Sequence, residues 1–88
     1  MTVDLPTPKL QATERLYQTV ATVLGVAVAE ISDASAPASI PAWDSLNHLN
    51  LVMALESEFE ISLTPEAALG MRDVGAMRAI LRSQGVDI

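Results

Sequence analysis

Trp43-Asp44-Ser45-Leu46 is where this chain could do chemistry. A serine hydroxyl stands there beside a carboxylate, where a long polar loop meets a strongly amphipathic segment. His48 follows three residues later, near the same face of any helix that starts at Ser45. A serine–histidine nucleophile would also need an orienting acid, an oxyanion site and a cleft. Nothing else in the chain supplies them, so no catalytic residue is assigned. There is no cysteine, one histidine and one lysine, Lys9. No His/Asp/Glu cluster has ligand spacing, and no metal site is expected. Any chemistry would therefore be borrowed, through something attached at Ser45. The plainer reading is a helix cap, since Asp and Ser are both favoured there and a cap is worth about 1 kcal/mol. The two readings are compatible, because Asp44 can cap while Ser45 points outward.

The elements that must position this site read as helices. Thr7-Pro8 is a good start, with Thr as N-cap and Pro at the first helical position. Leu16, Val20, Val23 and Leu24 then recur at helical spacing before Gly25, which predicts a helix over 8–24. From Gly25 to Asp44 runs a connection rich in Ala, Ser and Pro, broken by Pro37 and Pro41. A loop of this length in a small domain is usually functional or disordered. Val26, Val28, Ile31 and Ile40 are expected to pin it, with Trp43 as a half-buried plug. A central helix is predicted over 45–59, apolar over a wide arc. Glu60 to Leu63 is expected to run extended. Thr64-Pro65 starts a short helix ending at Gly70, and Asp73 caps a last helix that stops by Gly85. The expected fold is all-α: an antiparallel four-helix bundle, with three main helices, one short one and a long first loop.

Eighty-eight residues, half of them hydrophobic, make one domain with a single modest core, 1–88, with flexible ends at 1–7 and 86–88. Tyr17, Trp43 and Phe59 are the aromatics, so aliphatic side chains must fill the core. The net charge of −6 disfavours nucleic acid and anionic membranes, which need clustered Lys and Arg. It favours partners with basic patches. The amino-terminal residues lack a basic region followed by an apolar run, and no apolar stretch has bilayer length. With no cysteine, the chain is expected to be cytoplasmic, and it is expected to be monomeric.

Asp44-Ser45-Leu46, joined to Leu49, Leu51-Val52-Met53-Ala54-Leu55-Glu56, Glu58-Phe59 and Ile61, resembles an acyl carrier protein. Leu24-Gly25-Val26, the long loop, the short third helix and Val74 extend the likeness over nearly the whole chain. Asp-Ser-Leu alone is a weak signal, and the surrounding run makes it a strong one. The resemblance implies that Ser45 carries 4′-phosphopantetheine, transferred from coenzyme A by a separate Mg²⁺-dependent phosphopantetheinyl transferase. Asp44 would contact that transferase or its metal. The arm would bear acyl or aminoacyl thioesters and pass them among loading, acyltransfer and synthase enzymes with basic docking patches. Leu46, Asn47, Asn50, Met53 and Glu56 would face those partners. Met53, Leu55, Ile61, Leu63, Ala68, Leu69, Met71 and Met77 would line the interior that accepts the acyl chain. Asn47 and Asn50 stand where many relatives carry acids, and Ala42-Trp43 replaces the usual small residues. That Trp-Asp-Ser-Leu variant is similar to free-standing carriers of specialised, polyketide-like or nonribosomal-type pathways. The alternative expectation is an acyl-carrier-like interaction module without the prosthetic group.

Overall fold

The computed structural model describes residues 8–88, with side chains from residue 11 onward. Helix α1 spans Pro8–Leu24, α2 Ser45–Phe59, α3 Pro65–Gly70 and α4 Val74–Ser83. The expected cap at Thr7 and the expected flexibility of 1–7 lie outside the described residues. Together the four helices form a small all-α bundle, and no strand occurs among the described residues.

Each helix is built by a legible local rule. On α1, Ala12, Leu16, Val20 and Leu24 fall four apart, on one stripe, and all four are buried. The helix stops at Gly25, whose φ of 69° is left-handed and suits a residue without Cβ. Asp73 caps α4 by accepting from the Ala76 amide at 2.7 Å, and Val74, Met77 and Leu81 behind it are fully buried. Thr64 caps α3 by accepting from the Ala67 amide, with Pro65 at the first helical position.

The long loop is ordered by specific bonds. Ile31, Ile40 and Trp43 are buried. Val28 is 47% exposed, so it does not pin the loop as expected. It belongs instead to a single 3-10 turn, Val28–Glu30, which the sequence reading passed over as loop. Asp33 and Ser35 fasten the loop to the start of α4, accepting from the Gly75 and Val74 amides at 2.8 and 3.0 Å. A Cβ on Gly75 would sit 3.2 Å from the Asp33 carbonyl oxygen, so a side chain there would push the loop away by a few tenths of an ångström. The Asp33 side chain takes bonds from Tyr17 of α1 at 2.7 Å and Arg78 of α4 at 2.9 Å. Arg78 also donates to Thr13 Oγ1 at 2.8 Å.

Two expectations need correction. Residues 86–88 were expected to be flexible, yet Ile88 is 1% exposed and its carbonyl accepts from Arg82 Nε at 3.0 Å. Gly85 turns the chain back with φ of 95°, and an apolar last residue then completes the core. Glu60 departs from the extended run expected over 60–63. Glu60 is left-handed and ends α2, and the Leu63 amide donates to the Glu56 carboxylate at 2.8 Å.

Candidate functional site

Ser45 is the first residue of α2, and its side chain is exposed. Asp44 sets this position by adopting extended backbone and accepting from the Asn47 amide at 2.8 Å. Of the first three amides of α2, only that of Asn47 is used; the next, of His48, donates to the Asp44 carbonyl at 2.8 Å. The Ser45 and Leu46 amides have no partner within the chain among the described residues. An exposed hydroxyl therefore stands beside free N–H groups at the positive end of a fifteen-residue helix dipole. That setting suits a serine bearing a phosphodiester, because the group would gain donors without entering the core.

Two open grooves meet at Ser45, each of about 490 Å³. One is lined by Pro37, Trp43, Asp44, Ser45, His48 and Leu69. The other runs between α2 and α3 and is the more apolar, passing Leu49, Val52, Leu63, Pro65, Ala68 and Leu69. Ser45, His48 and Leu69 belong to both.

Trp43 and His48 carry the signal that sequence reading missed. Trp43 was expected to be half buried, but it is 3% exposed. Its indole N–H donates to His48 Nδ1 at 3.0 Å, and the two rings lie nearly parallel at 16°. Because an indole nitrogen can only donate, Nδ1 must accept. The ring proton then sits on Nε2, which donates to the Ala68 carbonyl at 2.8 Å. His48 is partly buried and ties the loop before Ser45 to α3. The clue available in sequence was a lone tryptophan, whose buried N–H needs an acceptor, five residues before a lone histidine.

The other expected site residues separate into groups. Leu46 and Met53 are exposed, at 68% and 51%, and Leu49 between them forms one outer stripe along α2. Asn47 and Asn50 turn inward: Asn47 donates to the Ala42 carbonyl at 2.8 Å, and Asn50 donates to Asn47 Oδ1. Glu56 is partly buried on the Leu63 amide, and Glu58 pairs with Arg15 at 2.8 Å. The eight expected pocket residues do not line a common cavity. Leu55, Met71 and Met77 are packed in the core at 0–1% exposure, while Leu69 is 80% exposed and Met53 lies on the outer stripe. Leu63, Ala68 and Leu69 share the α2–α3 groove, and Ile61 packs half-buried against the core. Hydrophobicity could not sort them, because all eight are apolar whether they face the core, the groove or solvent.

Among the described residues, no group of three or more His, Cys, Asp or Glu could hold a metal ion. No described helix is long and apolar enough to cross a membrane. No curated protein matches the chain. A family model described as phosphopantetheine attachment site matches residues 14–81, from within α1 to within α4 and including Ser45. Members of that family are non-catalytic carriers that bind 4′-phosphopantetheine covalently on a serine, and are served by a phosphopantetheinyl transferase and by synthase or acyltransferase enzymes. With most of its length matched and an exposed serine at the head of its central helix, this chain belongs to the phosphopantetheine-binding carrier family.

Proposed function

We propose that Ser45 is the attachment serine and that the chain is an acyl carrier protein of a fatty-acid-like or specialised biosynthetic pathway. The observation that carries this reading is the exposure of Ser45 on the first turn of α2, capped by Asp44 and bordered by unpaired amides. In the transferase reaction, Ser45 Oγ attacks the β-phosphorus of coenzyme A and the bond to the α-phosphate breaks. The adenosine bisphosphate leaves, and the transferase takes the serine proton. Asp44 contacts the transferase or its Mg²⁺ from the adjoining position, while its cap keeps Ser45 on the first turn. The attached arm supplies a terminal thiol for acyl or aminoacyl thioesters, chemistry absent from a chain without cysteine.

Partner contact falls to Leu46, Leu49 and Met53, an apolar stripe that begins beside Ser45. The net charge of −6 adds longer-range attraction toward basic partners. Within this proposal the carrier is a cytoplasmic monomer of one domain. Its cargo extends along the groove formed by Leu49, Val52, Leu63, Ala68 and Leu69 rather than replacing packed core side chains.

Incubation with coenzyme A and a promiscuous phosphopantetheinyl transferase, followed by intact mass measurement, tests the proposal. The expected result is the gain of one arm in the wild type and none in Ser45→Ala. A folded wild-type sample that gains nothing would instead support an interaction module working through the α2 stripe alone.

A further inference from the structure

We infer that His48 is a positioning residue for the modification of Ser45: one neutral imidazole clamps both flanks of the serine and presents them to the transferase already ordered. The inference rests on the carrier reading of Ser45. One flank is the loop end, where Trp43 donates to Nδ1. The other is α3, where the Ala68 carbonyl accepts from Nε2–H. Ser45 lies between them, at the junction of the two grooves that share His48.

The flanks depend on this ring to different degrees. Trp43 is deeply buried and also held by its own amide, which donates to the Ile40 carbonyl at 2.9 Å. Helix α3 has six residues and no fully buried side chain, and Leu69 projects into solvent. The bond from His48 is the polar tie between α2 and α3 that lies beside the modified serine. Without it, α3 keeps the cap bond from the Ala67 amide to Thr64 and, ahead of the helix, the Leu63 amide on Glu56, and neither of these ties the helix to the Trp43–His48 side of Ser45. An enzyme that binds Ser45 must cover these flanks, and ordering a loose flank at that moment subtracts from its affinity. Removing the clamp should therefore act on binding of the carrier more than on the chemical step.

Side-chain geometry lets the two ties be dissected. Asn keeps an acceptor near the position of Nδ1, and Gln keeps a donor near that of Nε2. Transferase kinetics are measured with the apo-protein as varied substrate and coenzyme A saturating, for wild type, His48→Ala, His48→Asn, His48→Gln and Trp43→Phe. His48→Ala is expected to raise KM about tenfold with kcat within about twofold. His48→Gln recovers most of that loss, and His48→Asn recovers less, because the deeply buried Trp43 needs the clamp less than α3 does. Trp43→Phe, which keeps the ring but removes the donor, resembles His48→Gln. Emission of the single tryptophan reports whether Trp43 stays buried in each His48 variant.

A purely structural histidine would lower thermal stability and leave KM unmoved. Equal KM for folded wild type and His48→Ala overturns the inference while Ser45 modification stands. If the wild type itself is not modified, the carrier reading falls and the clamp falls with it.

Discussion

At the residue scale, the site rests on a division of labour between two neighbours. Asp44 turns its carboxylate back onto the Asn47 amide, and Ser45 is left facing solvent. Asp44→Ala should therefore cost about 1 kcal/mol of stability, whereas Asp44→Asn should retain most of the cap. Urea denaturation of the two variants measures the difference. A second prediction concerns Asp33, whose carboxyl is held below the usual carboxylate range, first by the Arg78 guanidinium and then by the Tyr17 hydroxyl. With its folded value depressed, Asp33 adds stability above the pKa of the unfolded chain. That contribution disappears as pH falls through the lower, folded value. Because the side chain is half exposed, the effect is small. Asp33→Asn should lose stability at neutral pH and converge on wild type in acid, as urea midpoints measured against pH would reveal.

At the scale of the element, α2 must satisfy two demands with one apolar sequence. Leu51, Val52 and Leu55 face the core, while Leu46, Leu49 and Met53 face out. Substitution of Met53 by Ala should change stability by less than about 0.5 kcal/mol. The same change should slow transfer of an acyl group from a partner enzyme, which a single-turnover assay on the loaded carrier measures. Leu55→Ala should instead cost about 2–5 kcal/mol, because it opens a cavity among packed side chains. The end of α2 depends on Glu56, so Glu56→Ala should cost about 1 kcal/mol by leaving the Leu63 amide unpaired, whereas Glu56→Gln keeps an acceptor there. Thermal denaturation of the pair separates this role from docking.

At the scale of the whole molecule, the bundle is closed by contacts between distant segments. The loop joins α1 and α4 through Asp33, and the tail returns to bury Ile88. Ile88→Ala should destabilise the domain by about 2–5 kcal/mol, a large part of the roughly 5–15 kcal/mol that holds a typical domain folded. An unchanged melting temperature would show that the tail contributes nothing to the core.

The four α-helices and their bounds were determined by sequence alone, though the 3-10 turn at Val28–Glu30 was not. Capping residues, Pro at first positions and the spacing of Leu16, Val20 and Val74, Met77, Leu81 act through bonds and contacts within a few residues. Ser45 at the head of α2 was legible for the same reason, since the Asp44 cap is local. Which apolar residues of α2 face inward was not legible, because leucines stand both in the core and on the outer stripe. Nor could spacing reveal that Asn47, Asn50 and Glu56 turn to the chain itself, that Ile88 fills the core, or that His48 joins Trp43 to Ala68. Those outcomes depend on where separate helices and the loop meet in space, and only the packed tertiary structure decides which donor finds which acceptor.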